Sequence, residues 1–235
     1  MDEGVAPARR APWWPVAAVG LLAAAATATV GLVGRDAAPA AGVPGPPTSA
    51  AVTPAGSGDD AVAPFLAAWE RAASGTFVVR STFERRLAGG QAMSAESVLA
   101  QRPPDRLLRQ GGTVTGRLAG RQVACAEVEG DPVPCADAGP APPWPDQVAA
   151  EVAAVRRLVT GVSPRYAVES VADGCFRLRL RVWQPAPPYG TRSTFCFDPA
   201  TGAPTRTEVA RPEATDVTTA TDISAPTSED FLVPG

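Results

Sequence analysis

From Trp13 to Gly34 the chain reads WWPVAAVGLLAAAATATVGLVG, without a charged side chain. Roughly twenty apolar residues are what a helix needs to cross the hydrocarbon core of a bilayer, where each backbone polar group must be satisfied inside the segment. Arg9 and Arg10 precede the run, Trp13 and Trp14 stand at interfacial depth, and Arg35 with Asp36 closes it. A short positive flank stays in the cytoplasm. The pattern predicts a cytoplasmic tail over 1–12, a transmembrane helix over 13–34 and a single-pass protein of the cell membrane with its carboxyl-terminal part outside. A cleaved signal peptide is the competing reading. Its apolar core is shorter, about 7–15 residues, although Ala38-Pro39-Ala40 offers a small-residue cleavage pattern. Arg9-Arg10 matches a twin-arginine signal poorly, and no Cys follows the run to accept a lipid. Both readings export the remainder.

Residues 35–58 are rich in Ala, Pro, Gly, Ser and Thr, with Val43 and Val52 as the only bulky apolar side chains. Such a stretch buries too little surface to offset its ordering entropy, and its prolines keep it extended. It reads as a disordered spacer. A domain over 59–224 follows, and 225–235 reads as a flexible tail.

Within that domain Asp59-Asp60 resembles an acidic helix start. Val62, Phe65, Leu66, Trp69 and Ala73 then recur at the spacing of one helical face. From Thr76 to Leu87 the residues Phe77, Val79, Ser81 and Phe83 alternate with Val78, Arg80, Thr82 and Glu84, the period of a strand. Gly and Pro punctuation divides the next stretch into strands at 93–101, 106–110, 113–118 and 121–128. A second helix is expected over 146–161, where Val148, Val152, Val155 and Val159 form a stripe before Gly161. Strands at 166–171, 175–183, 191–197 and 204–209 follow, with a weak one at 217–223.

Four cysteines, at 125, 135, 175 and 196, lie in a compartment where disulfides persist. If Cys175 faces Cys196 across a hairpin with its tip at 185–190, Phe176 opposes Phe195 and Gly174 opposes Phe197. Phe176, Leu178, Leu180 and Val182 then share a face with Phe195 and Phe197. One register joins the sulfurs and gathers the apolar side chains. Cys125 and Cys135 bracket a turn at Glu129-Gly130-Asp131-Pro132, so the expected pairs are Cys125–Cys135 and Cys175–Cys196.

The composition excludes several chemistries. His is absent, which removes the commonest general base and metal ligand. The cysteines lack zinc-site spacing. No G-x-S-x-G, P-loop or dinucleotide glycine motif occurs, and Glu84, Glu96, Glu127 and Glu208 have no spacing that marks a carboxylate pair. The 21 basic residues are all Arg, yet the net charge is −3; nucleic-acid binding needs a concentrated basic surface. No enzyme, metal, cofactor or nucleic-acid partner is expected. Arg177, Arg179 and Arg181 read as a solvated outer strand face that discourages edge pairing.

The helix and strand order, Trp69, the strand FVVRSTFERRL and the segment FCFDPATGAPTRTEV with its turn at Asp198–Gly202 resemble the LolA-like, lipoprotein-carrier superfamily over residues 61–224. The likeness extends to mycobacterial lipid-binding lipoproteins and RseB-type regulators, here in a membrane-anchored form of actinobacterial type. It implies an α+β fold in which a strongly curved antiparallel sheet, a half-barrel, wraps around helices. It further implies a lipid or other apolar ligand held among Trp69, Phe77, Val79, Phe83, Phe176, Leu178, Leu180, Phe195 and Phe197. An anchored protein cannot shuttle between two membranes, so a stationary binder is the first expectation. A sensory or protein-interaction module that contacts another envelope protein is the second.

Overall fold

The computed structural model describes residues 59–128, 131–132, 135–172 and 174–233. The chain divides into Met1–Pro54 and Ala55–Gly235, and the described residues all lie in the second unit. The expected tail, transmembrane helix and spacer over 1–58 lie outside the described residues. Among the described residues no helix is long and apolar enough to cross a membrane.

A 3-10 turn, Asp59–Ala61, leads into α1, Val62–Ser74. Five strands follow: β1 Phe77–Leu87, β2 Ala92–Arg102, β3 Asp105–Gln110, β4 Thr113–Leu118 and β5 Arg121–Val128. Two short pieces, β6 Asp131–Pro132 and β7 Ala136–Pro140, precede α2, Trp144–Val159. The chain then forms β8 Tyr166–Ala172, β9 Cys175–Leu180, β10 Arg192–Phe197, β11 Pro204–Ala210 and β12 Ala214–Ser224, and ends in a 3-10 turn, Glu229–Phe231. The strands make one open antiparallel sheet in the order β6-β5-β4-β3-β2-β1-β12-β11-β10-β9-β8, with β7 also pairing β5. The fold is α+β.

The centre of the sheet is the β1–β12 pair, which joins the two ends of the domain in sequence. It runs from Val78↔Ser224 to Leu87↔Ala214, with a bulge between Arg80 and Ser81. The strand expected to be weak is therefore a full central one. Its sequence, ATDVTTATDIS, carries few apolar residues because Thr and Asp occupy many of its places.

Both disulfides join the expected partners, Cys125–Cys135 and Cys175–Cys196. The hairpin register also holds: Cys196 opposes Cys175 and Phe195 opposes Phe176, and the Phe197 N–H donates to the Gly174 carbonyl at 3.2 Å. The strand stops at Leu180, however, and Val182 is exposed rather than part of the apolar face.

The first strands are buried on both sides. Phe77, Val78 and Val79 are all nearly inaccessible. Phe77 and Val79 pack with Leu99 and Ala203. Val78 faces the opposite way and packs with Ala100, Leu107 and Phe231. The segment expected to be a flexible tail is thus a strap that seals the sheet's outer side through residue 233. The Arg102 guanidinium lies 4.6 Å from the Phe231 ring centroid. Arg109 donates to the Asp230 and Leu232 carbonyls, and Arg80 pairs with the Asp230 carboxylate at 3.5 Å.

Candidate functional site

α1 presents Phe65, Ala68 and Ala73 as buried positions on one face. At the strand end of this contact, the Phe65 ring lies 5.5 Å from Phe176 on β9 and 6.3 Å from Phe195 on β10. Trp69, one turn on, meets Phe195 edge-on at 5.3 Å and also reaches Phe197 and Tyr189. Tyr189 in turn touches Tyr166. Edge-to-face pairs at these distances each add about 0.5–1.5 kcal/mol to the burial term. Trp69, Phe176, Phe195 and Phe197 therefore form one ring-packed cluster between α1 and the β9–β10 hairpin.

The other candidate residues lie elsewhere on the same side of the sheet. Phe77 and Val79 belong to the β1–β2 cluster, where Leu108, Ala220 and Ile223 are only partly buried against them. Phe83, two alternations further along β1, is half-buried and sits opposite Ala95 and Thr218. Leu178 is fully buried at the β9 centre, while Leu180 is half-buried at its end.

Two polar centres and one pair of phenols carry no sequence signature. The first centre clamps the helices to the sheet. Gln101 donates to the carbonyls of Ala72, at 2.9 Å, and Gly75, at 2.8 Å. Arg106 donates to Gln101 and to the Ala73 carbonyl, and pairs with Glu151 of α2 at 3.0 Å. These donors meet the carbonyls that a helix leaves unpaired at its carboxyl end, where its dipole is negative. Arg117, directly across from Arg106, donates to Pro142 and to Gln147, which itself donates to Glu151. Both guanidinium groups lie over the Trp144 ring, at 4.9 and 5.4 Å. Burial draws the Arg106 pKa down while Glu151 opposes the shift.

The second centre lies at the far end of β1 and β12. Asp216 accepts two bonds from Arg85, at 2.6 and 2.8 Å, and one from Arg211 at 2.7 Å. Burial disfavours its charge, but the bonds from Arg85 and the charges of Arg85 and Arg211 outweigh this and hold the carboxyl below its ordinary range. The phenols are Tyr166 and Tyr189. The Tyr166 hydroxyl donates to the Gly190 carbonyl and accepts from the Tyr189 N–H, both at 3.1 Å. Burial raises the pKa of both phenols.

The Asp198–Gly202 turn closes onto α1. The Asp198 carboxylate accepts from the Ala200 and Thr201 N–H groups and the Thr201 hydroxyl. Gly202 has φ +76°, and an added Cβ would stand 2.8 Å from the Arg71 carbonyl carbon. Only glycine fits that approach. On the outer face, Arg177 and Arg179 reach Glu169 at 3.8 and 3.0 Å. Among the described residues no cluster of His, Cys, Asp or Glu could hold a metal.

Fold and site together define a class: one open antiparallel sheet with two helices held on one side by an aromatic cluster and an ionic clamp. By sequence the chain matches no family model and no curated protein. By structure it is similar to LprF from Mycobacterium bovis, with 12% identity, TM-score 0.39, and coverage of 77% of this chain and 99% of that one. It is similar to MucB at 14% identity and TM-score 0.40, covering 74% of this chain and 63% of MucB. A LolA superfamily protein from Nitrosomonas europaea is similar at 6% identity and TM-score 0.31, covering 72% and 96%.

Proposed function

We propose that the domain is a LolA-like, non-catalytic binding module, tethered outside the cell membrane by the segment 13–34, which holds a lipid or other apolar ligand between its sheet and helices. The observation that carries this reading is the apolar surface left partly open on the helix side. Leu108, Ala220 and Ile223 stay partly buried beside the Phe77–Val79–Leu99 cluster, and Phe83 continues the row toward the far end of β1. Apolar sites of this kind bind by shape and area.

The test is native mass spectrometry and solvent extraction of the purified full chain, followed by uptake of a fluorescent fatty acid. The reading predicts a bound apolar species, and uptake that falls about tenfold in Phe83→Glu, by the loss of a buried aromatic contact. A chain that carries no apolar species and takes up none would sink it. An envelope protein recovered with a delipidated, intact chain would favour the sensory or interaction reading instead.

A further inference from the structure

At the end of the sheet where α2 hands over to β8, two loops stand side by side. The Arg181 N–H donates to the Arg165 carbonyl at 2.8 Å, and the Arg165 guanidinium donates to the Gln184 side chain at 2.8 Å. These bonds tie residues 160–165 to the loop that joins β9 and β10. The tied loops expose three large apolar side chains: Val162 fully, Val182 at 60% and Trp183 at 78%. A folded chain rarely leaves a tryptophan so open beside other exposed apolar groups unless that surface meets something. Pro185, Pro187 and Pro188 follow in the same loop, so its ordering costs little on contact.

The two segments that carry these side chains are uniformly basic. Residues 152–168 and 177–197 contain Arg156, Arg157, Arg165, Arg177, Arg179, Arg181 and Arg192 but no Asp or Glu. Arg177 and Arg179 are engaged by Glu169 on the outer strand face. Arg156, Arg157, Arg165 and Arg181 are exposed around the loops. Exposed Trp and Val ringed by arginine is the composition of an interfacial contact, with the indole at headgroup depth and the guanidinium groups on lipid phosphates. Four like charges around the patch oppose pairing with a second copy through it.

We infer that the Val162–Val182–Trp183 loops dock onto an anionic bilayer surface. The contact is separate from the ligand region proposed above. Trp183 and the two valines enter the interface, and the arginines select membranes with acidic headgroups. Each arginine contributes about a fivefold gain in affinity at moderate salt.

The test uses the full chain with vesicles of phosphatidylcholine alone or with about one-third phosphatidylglycerol, a content that gives a physiological surface potential. Backbone amide exchange is followed over 160–165 and 181–184. Trp183 insertion is read as the part of the quenching by bromine-labelled acyl chains that is lost in Trp183→Phe, since Trp13 and Trp14 are present in both chains. These local readouts are independent of any membrane binding by residues 13–34. The expected result is exchange slowed about tenfold by anionic vesicles only, reversed by salt near 1 M, and reduced in the Arg156→Gln/Arg157→Gln/Arg181→Gln variant. Unchanged exchange in the central strands shows that the variant is folded. Equal behaviour in both vesicle types overturns the inference. So does protection that rises with protein concentration without vesicles, which assigns the patch to a second copy, or protection that appears only with an acidic polypeptide such as polyglutamate.

Discussion

Arg106 has its charge out of water and four polar partners to justify it: Gln101, the Ala73 carbonyl and both oxygens of Glu151. Breaking one member of a buried pair leaves the other uncompensated, at a typical cost of 3–5 kcal/mol. Glu151→Gln retains a hydrogen bond and should therefore lose about 3 kcal/mol, read as a lower urea midpoint with unchanged slope. Replacing both partners, Arg106→Met with Glu151→Leu, should recover most of that loss, because the desolvation cost disappears with the charges. Asp216 gives a pH-dependent counterpart. Its folded pKa lies below the unfolded value of about 3.9, so its stabilisation is present above that pH and is lost as pH falls toward the folded value. Asp216→Asn should lower stability at neutral pH by about 2 kcal/mol. It should also flatten the stability curve between about pH 5 and 2, followed by thermal melts across that range.

The strap after β12 is the least expected element and explains the burial of Val78, Ala100 and Leu107. Phe231→Ala should cost about 3 kcal/mol, the usual loss for a buried phenylalanine, and should speed amide exchange over 226–233 more than in β1. If exchange there is already as fast as in an unfolded peptide, the strap is not closed in solution. Alternation along β1 predicted one buried side, and the triplet Phe77-Val78-Val79 held the sign of a second. Nothing in SAPTSEDFLVPG announced what would cover it, since one aromatic in a polar segment has no period. The β9–β10 register was legible because sulfur pairing and apolar pairing each imposed the same alignment. Removing that bond in a Cys175→Ala/Cys196→Ala variant should cost about 3 kcal/mol for a closed loop with a separation of 21 residues, measured by denaturant unfolding without reductant.

Across the whole molecule, helix–strand order was readable from periodicity, while the arrangement of strands around the β1–β12 centre was not. Long-range pairing depends on which faces find cover, and the polar β12 gave no strong apolar pattern. The candidate residues divide for the same reason. Phe176, Phe195 and Phe197 pack against each other as core under a half-buried Trp69, whereas Phe83 and Leu180 remain half-buried away from them. The ionic clamp has no sequence signature because Arg106, Arg117 and Glu151 are types usually found in water. The proposed place of the apolar ligand is the helix side of the sheet, beside the Phe77–Val79–Leu99 cluster. The most direct measurement is anomalous scattering from crystals of the chain grown with a bromine-labelled fatty acid. The account predicts a bromine peak on the helix side, within contact of Phe83, Leu108 or Ile223. Crystals with no ordered bromine on that side, under conditions where the labelled acid saturates the protein, would contradict it.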